Sequence, residues 1–483
     1  MLFLSTLMVC VLIILRPEAQ VQPSTTSSSS AAKLGSAAGS EVCARCIRAH
    51  MDFLASDALQ GRGSGTRDEW IAATYIASEL EQYGIEPAGE NGGFLQKATL
   101  IRQKLIAPPK LVFKDAGQKT ILWTHGKQML VVYLGATNFS GPLQKVDLTA
   151  KQQPVIKRGA VLLLSGPEEK IHEAAYKFGD SGAAAVLIPE SRRLRSHWKQ
   201  RGSTPPEEPV RVEGVDDEAM LPKYPILAIK AEFAPTLQDL REGTVLSMKS
   251  SADSPQKSFT WNVVGRISGT DESQQHSTIL LTAHLDHLGI GTPVHGDKIY
   301  NGADDDASGS VAVLELARVL ASRPKPRRSV IFALFGSEEK GGLGSTYFRT
   351  HPPTPLKDIA ADLEFEMIGR ADPSVAAGTL WLTGWERSDL GPELAAHGAK
   401  LVGDPHPDQQ FFERSDNYVF AKAGVVAQTV SSYGLHKDYH QPSDDVAHVD
   451  FQHMDNAINS LLQPVMWLAN SDFVPHWNPG KQP

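Results

Sequence analysis

The sequence predicts an α/β protein whose main domain is a doubly wound, mostly parallel sheet with helices on both faces. From Ser258 onward, apolar strands alternate with helices, which is the pattern of strands joined by crossover helices. Polar clusters follow several of these strands, and ligands bind at the carboxyl ends of strands in such sheets. The length of 483 residues is sufficient for two or three domains.

The C-terminal half supplies the elements of this sheet. The apolar strand STILLTAHLD precedes the helix SGSVAVLELARVLAS, and RSVIFALFGSEE is a second buried strand that ends in acids. Three further strands are predicted at IAADLEFEMIG, GTLWLTG and GVVAQTV. The segment DNAINSLLQPVMWLAN is predicted to close the domain as a helix that contains Pro464.

Upstream, a helix and a block of short strands are predicted. The run RDEWIAATYIASELEQYG places Ala73, Ile76, Leu80 and Tyr83 on one helical face. Between residues 105 and 250, GAVLLLSG and AAAVLIPE indicate buried strands around the helical segment PEEKIHEAAYKFGDSG. We expect ESRRLRSHWKQRG to be an exposed loop, and the isolated histidines His172 and His197 to be surface residues.

The first 40 residues resemble an export segment and a tether. The apolar run over residues 2–15 has the length of a secretory signal core, so we expect a signal peptide over residues 1–22, with an uncleaved anchor or a different start as alternatives. Residues 23–40 are rich in Ser and Ala and are predicted to be a flexible tether. Cys43 and Cys46 form a lone CARC motif, which we interpret as a local bridge or two half-buried thiols.

The composition excludes one class of partner. With 47 basic against 55 acidic residues and a formal charge of −8, the chain lacks the basic excess that neutralises nucleic-acid phosphates. We expect a secreted or periplasmic protein without stable membrane insertion. The sequence does not predict an oligomeric state.

The clusters at the strand ends have the composition of a metal centre. Three adjacent aspartates, residues 304–306, repel one another unless a cation lies nearby. Mixed imidazole and carboxylate ligands suit zinc, with cobalt or manganese as substitutes, and two ions would need a bridging carboxylate. The other candidates at strand ends are His284, Asp286, Glu338, Glu339, Glu366 and His440.

Five motifs in order, HLDHLG, NGADDDASG, SEEKGGLGS, EMIGR and YHQPSDD, closely resemble the zinc peptidases of the M28 family, which include bacterial secreted aminopeptidases. The segments KRGAVLLLSG and SGAAAVLIPE are similar to the protease-associated insert of many members, a small β-rich α+β domain. The resemblance implies a peptidase domain in two parts, 41–110 and 256–475, an insert over 111–255 and a tail over 476–483.

Carried over residue by residue, the resemblance implies a role for each candidate. His284 would bind one of two zinc ions and Asp286 would orient it. Asp305 would bridge both ions, with Asp304 and Asp306 as structural neighbours and caps. The remaining assignments are Glu338 as general base, Glu339 and His440 as ligands of the second ion, Glu366 as a further ligand, and Tyr439 as a hydrogen-bond donor to the tetrahedral intermediate.

Two positions depart from the family's commonest pattern. Glu366 stands where Asp is frequent, so a buried, paired acid is the alternative to a ligand. Asn417 stands where His is frequent, and we assign it no metal role.

The resemblance implies a dizinc exopeptidase, an aminopeptidase acting on peptides. A carboxypeptidase or dipeptidase is a close variant that would need a cationic anchor for the substrate carboxylate. A glutaminyl cyclase with one zinc and a receptor-like protein without activity are alternatives from other classes. The retained ligand set argues against both.

Overall fold

The computed structural model describes residues 41–152, 154–178, 181–206, 208–215 and 222–483. The predicted signal peptide and tether lie outside these residues. Across them the chain has the predicted mixed α/β fold with more than one sheet. Among the described residues no helix combines the length and the apolar character needed to cross a membrane.

The N-terminal part packs two helices against the main sheet. The elements are α1 (Ala44–Leu54), α2 (Arg67–Gln82), β1 (Glu86–Pro87) and β2 (Leu95–Arg102). Cys43 and Cys46 are joined by a disulfide, so the local bridge is the alternative that is found. On α2, Ala73, Ile76 and Leu80 are buried, as the helical periodicity predicts.

The middle block forms a sheet of its own. Its strands are β3 (Lys110–Lys114), β4 (Thr120–Thr124), β5 (Met129–Leu134), β6 (Phe139–Asp147), β7 (Val161–Ser165), β8 (Ala185–Pro189), β9 (Arg211–Val212), β10 (Pro225–Ile229) and β11 (Val245–Lys249). The helices are α3 (Glu168–Ala175), α4 (Arg192–Arg201) and α5 (Ala234–Gln238). Within the described ranges, eight of these strands follow the order β4-β3-β11-β6-β7-β8-β10-β5, and β9 instead pairs with β2.

The prediction that ESRRLRSHWKQRG is an exposed loop is wrong, because this segment contains α4. The Ser191 side chain accepts the Leu194 N–H at 3.1 Å and caps the helix. Trp198 is buried, and its indole N–H donates to the Gly126 carbonyl at 3.2 Å. The helix is therefore anchored on one side while its charged residues face solvent. His172 and His197 are exposed, as expected.

The C-terminal part contains the remaining elements. Its strands are β12 (Gln256–Ile267), β13 (Thr278–His284), β14 (Gly289–Val294), β15 (Asp297–Tyr300), β16 (Val330–Phe335), β17 (Ile359–Phe365), β18 (Leu380–Leu382), β19 (Leu401–Gly403) and β20 (Ala427–Ser431). Its helices are α6 (Gly309–Ala321), α7 (Leu343–Thr350), α8 (Leu390–Ala396), α9 (Asn417–Lys422) and α10 (Phe451–Asn470), with Pro464 inside α10.

The central sheet is mixed rather than mostly parallel. Its order in the described chain is β19-β18-β20-β17-β13-β16-β12-β2-β9. The pairs of β13 with β16 and β17, and of β17 with β20, are parallel. The pairs of β12 with β16 and β2, and of β18 with β20, are antiparallel. The prediction therefore holds for the central strands and for the parallel pair of β18 with β19, and it is wrong where β12 and β18 pair antiparallel to their neighbours.

Alternating side chains of the central strands enter two different apolar clusters. On β16, Phe332 belongs to a cluster that includes residues of α1, α2, α6 and α10. Its neighbours Ile331 and Ala333 belong to a second cluster with Phe348 of α7 and Phe420 of α9. Because successive strand residues point to opposite faces, helices cover both faces of the sheet.

Candidate metal centre and catalytic site

The polar residues predicted at strand ends converge at one edge of the central sheet. Strands β13, β16 and β17 run parallel, so their carboxyl ends meet there. His284 is the last residue of β13, and Glu366 directly follows β17. Glu338 and Glu339 follow β16 after a turn in which Ser337 has a φ of 55°. The strands thus bring together residues that are far apart in sequence.

One group of possible metal ligands consists of His284, Asp305 and Glu366. The His284 Nε2 atom lies 3.1 Å from Asp305 Oδ1, and one ligand atom from each residue lies within 4.8 Å of the others. His284 and Asp305 are buried, and Glu366 is half-buried. The sequence names all three as expected ligands, with His284 on one ion, Asp305 as the bridge and Glu366 assigned to neither ion in particular.

A second group consists of His287, Asp305 and Glu339, with His440 beside it. His287 Nδ1 lies 2.8 Å from Glu339 Oε1. His440 Nε2 lies 3.1 Å from Asp305 Oδ2 and 3.3 Å from Glu339 Oε1. His287 is a residue for which the sequence predicts no role. The feature of the sequence that could have indicated its role is its position directly after the HLD motif, which places it beside the same strand end.

Asp305 faces both groups with different oxygen atoms. Oδ1 is the atom near His284, whereas Oδ2 lies 3.9 Å from His287 Nδ1 and near His440. This arrangement is what a carboxylate shared between two cations requires.

Several buried polar atoms at this edge have no hydrogen-bond partner among the described residues. They are both ring nitrogens of His284, both ring nitrogens of His287 and Oε1 of Glu339, whose close approaches to one another and to Asp305 lack the geometry of hydrogen bonds. Buried polar groups are nearly always paired, so these atoms call for a further partner. A divalent cation with affinity for nitrogen and oxygen ligands fits that position, and zinc prefers this donor set.

Burial is the largest influence on the pKa of two acids of the site, Glu338 and Glu366. It raises the pKa of Glu338 well above its usual range; His284 opposes this shift, and Asp416 adds to it. Burial, with the charge of Glu364, raises the pKa of Glu366 to about 8. A carboxyl group with a raised pKa is better suited to accept a proton near neutral pH than an exposed one.

Glu339 and His440 stabilise each other's charged forms. Burial and Asp305 act to raise the pKa of Glu339, but contacts with His287 and His440 lower it to about 2. Burial acts to lower the pKa of His440, but Asp305 and Glu339 raise it to about 10. A divalent cation bound here would displace the proton from the imidazole.

Asp286 connects three parts of the site. Its Oδ1 accepts the Glu338 backbone N–H at 2.9 Å and lies 3.7 Å from His284 Nδ1. Its Oδ2 accepts a hydrogen bond from the hydroxyl of Ser64. The carboxylate therefore lies where it can orient both the imidazole and the turn that carries Glu338.

Asp304 and Asp306 bind the backbone. Asp306 Oδ1 accepts the N–H groups of Gly309 and Met367, both at 3.0 Å. Asp304 Oδ1 accepts the Gly369 N–H at 2.7 Å. These contacts agree with their interpretation as structural neighbours and caps of Asp305.

Tyr439 lies against the second group. Its ring stacks on His440, with 3.9 Å between centroids, and packs 5.2 Å from Tyr433. Burial raises its pKa, and the charges of Asp305 and Glu366 add to this shift. The phenol is therefore a neutral hydrogen-bond donor at neutral pH.

Asn417 has structural partners and lies outside both groups. Its side-chain amide donates to the carbonyls of Phe412 at 3.2 Å and Ala427 at 3.3 Å. Its backbone N–H donates to Glu364 Oε2 at 2.8 Å.

The amino-acid sequence is similar to those of known peptidases. Residues 262–464 match Peptidase family M28. Aminopeptidase YwaD of Bacillus subtilis is 23% identical over 419 residues, which cover 83% of this chain and 80% of the relative. Leucine aminopeptidase 1 of Grosmannia clavigera is 30% identical over 227 residues, which cover 44% of this chain and 54% of the relative, about half its length.

A solved structure has the same fold. The aminopeptidase from Aneurinibacillus sp. strain AM-1 superimposes with a TM-score of 0.52 at 19% identity. The match covers 90% of this chain and 96% of that one, so the likeness includes the middle block as well as the central sheet.

Proposed function

We propose that this chain, whose residues 262–464 form a metallopeptidase domain of family M28, is a secreted dinuclear zinc aminopeptidase that removes N-terminal residues from peptides. The observation that carries the proposal is the position of Asp305, whose two oxygens face different groups of possible ligands. In domain terms, residues 41–110 and 256–475 would form a doubly wound peptidase domain, and residues 111–255 a protease-associated insert.

The proposed ligands divide into two sets that share Asp305. His284 and Glu366 would complete the first set, and Glu339 and His440 the second, which His287 adjoins. When bound, zinc supplies Lewis-acid activation of the peptide carbonyl and of the attacking water. Cobalt or manganese would be accepted by the same nitrogen and oxygen atoms.

Glu338 would act as the general base. It would take a proton from the attacking water and transfer it to the amine of the departing peptide. Asp286 would position it, because the Asp286 carboxylate holds the Glu338 backbone N–H at 2.9 Å. The raised pKa of Glu338 supports proton transfer near neutral pH.

Two other residues would bind the substrate around the scissile bond. The neutral Tyr439 hydroxyl would donate a hydrogen bond to the oxygen of the tetrahedral intermediate. Glu366, at the edge of the first ligand set, would help to hold the ammonium group of the N-terminal residue. Together these contacts would favour cleavage after the first residue.

The proposed compartment is extracellular or periplasmic. The apolar pattern of residues 2–15 has the length of a signal core. The bridge between Cys43 and Cys46 is a bond that persists in oxidising compartments.

The test is to identify which end of a peptide is shortened. Zinc-loaded protein and its Glu338→Gln variant are incubated with unmodified peptides, and the products are identified by mass spectrometry. We expect stepwise loss from the N-terminus, slowed about 10²- to 10⁴-fold in the variant. Loss from the C-terminus, or loss of 17 Da from peptides that begin with glutamine, would contradict the proposal in favour of a carboxypeptidase or a glutaminyl cyclase.

A further inference from the structure

A pocket adjoins the candidate metal centre on the side of Glu366 and Tyr439. Four of its ten lining residues are aromatic, and one, Arg414, carries a positive charge. The aromatic residues are Trp381, Phe411, Tyr433 and Tyr439, and Glu366 of the first ligand group lines the pocket as well. A substrate residue next to the scissile bond would therefore contact this surface.

Arg414 has no carboxylate partner among the described residues. Its guanidinium lies over the Phe411 ring, 4.8 Å from the centroid, and in the described part of the chain it donates one hydrogen bond, to the Gln409 carbonyl at 3.5 Å. Arg370, by contrast, is paired with Asp438 at 2.8 Å and with a second aspartate. The Arg414 side chain is exposed, so its hydrogen-bond donors are open to a ligand.

The surroundings of Arg414 suit an anion. Arg414 and Tyr433 both lie against the Phe411 ring, the guanidinium 4.8 Å and the phenol ring 5.7 Å from its centroid. Burial raises the pKa of Tyr433 to about 12, so its phenol is neutral at neutral pH. Neutral phenols can donate hydrogen bonds to a carboxylate that the guanidinium binds. The carboxylate of Glu366, which also lines the pocket, would bind a cation in the proposed function.

We propose that Arg414 binds a carboxylate of the peptide substrate and so determines which peptides are cleaved. This inference rests on the proposed peptidase function. A guanidinium presents paired donors that match a carboxylate, and that of Arg414 lies over the Phe411 ring at the pocket wall. The carboxylate comes either from an acidic first side chain or from the C-terminus of a dipeptide, where Arg414 is the cationic anchor that a dipeptidase requires.

Two pairs of substrates separate these sources. Asp-Ala-Ala-Ala and Asn-Ala-Ala-Ala differ only in the charge of the first side chain. Leu-Ala and its C-terminal amide differ only in the charge of the terminus. kcat/KM is measured for each peptide with the zinc-loaded protein and with Arg414→Ala and Arg414→Lys.

We expect Arg414→Ala to lower kcat/KM for the charged member of one pair by about tenfold to a hundredfold, with the uncharged member changed little. Arg414→Lys should recover part of this loss. Arg387→Ala is the matched control, because Arg387 lies over Phe412 in the same way, 4.4 Å from the centroid, but does not line the pocket.

The pair that responds identifies the source of the carboxylate. If Arg414→Ala leaves the ratio of kcat/KM between the charged and the uncharged member unchanged in both pairs, the inference is overturned. The peptidase function stands as long as every variant still trims peptides. If no peptide is cleaved, the peptidase proposal fails, and isothermal titration of the same peptides with Glu338→Gln still tests Arg414. In that measurement, charged and uncharged peptides that lose affinity equally on Arg414→Ala would contradict the inference.

Discussion

The carboxylate of Asp286 accepts the backbone N–H of Glu338 at 2.9 Å. The contact joins the end of β13, which carries His284, to the turn after β16, which carries the proposed general base. One acid thus fixes the relative position of a proposed ligand and of the group that transfers protons.

This relationship predicts the effect of Asp286→Asn. The amide removes the negative charge beside His284 and offers one oxygen in place of two. We expect kcat to fall about 10- to 100-fold at saturating zinc, with little change in KM. Steady-state kinetics checks this, and Ser64→Ala, which removes only the hydroxyl donor to Asp286, should cost less. An Asp286→Asn variant with the kcat of the original protein would rule out a positioning role.

Asp305→Asn should weaken the binding of both proposed ions. An asparagine lacks the charge needed to hold two cations, and each ligand set loses a member. Metal content after dialysis, measured by mass spectrometry, should fall from two zinc ions per chain to less than one. Asp304→Asn is the control, because Asp304 Oδ1 accepts a backbone N–H and an amide oxygen can do the same. Two ions bound tightly by Asp305→Asn would contradict the bridge.

His287→Gln should weaken one ion selectively. Its Nδ1 atom lies 2.8 Å from Glu339 Oε1, in the second group only. We expect the affinity for one of the two zinc equivalents to fall about 10- to 100-fold, as measured by competition with a chromophoric chelator. His436→Gln provides a comparison, because His436 binds Asp304 at 2.9 Å and belongs to neither group. Equal affinities in the two variants would exclude His287 from the second site.

The buried position of His50 should make the protein less stable at acidic pH. Its ring nitrogens lie 2.7 Å from the Tyr75 hydroxyl and 3.0 Å from the Tyr83 hydroxyl. Burial lowers its pKa below the ordinary 6.5, although Glu79 and Glu315 oppose this shift. The unfolded chain therefore binds a proton more readily than the folded one as the pH falls through 6.5, and stability decreases.

The measurement is the apparent melting temperature at pH 7.5 and 5.5 for the original protein and for His50→Gln. The decrease on acidification should be smaller in the variant, because one group that takes up a proton on unfolding is gone. Equal decreases in the two proteins would exclude this contribution.

Much of the candidate site could be predicted because its residues follow apolar strands directly. His284, Glu338 and Glu366 each stand at or just beyond the end of a buried run, and the parallel direction of β13, β16 and β17 brings these ends together. The local pattern therefore carried the information about their position.

Other features depend on contacts that the local pattern does not contain. Strand direction is one example: β12 reads as an apolar strand, but its antiparallel pairing with β16 depends on the path of the chain through the middle block. His287 is another, because its proximity to Glu339 follows from the turn after β13. Helix α4 lacks the apolar periodicity that predicts a helix, because its residues are mostly charged and only Trp198 is buried.

The most direct test of the central claim follows the oxygen atom of water. Zinc-loaded protein is given an unmodified peptide in ¹⁸O-labelled water, and the first products are analysed by mass spectrometry. The account predicts a free N-terminal residue with one ¹⁸O in its new carboxylate and a shortened peptide without label. Label in a peptide shortened at its C-terminus, or loss of ammonia from a glutamine-initiated peptide without uptake of label, would contradict it.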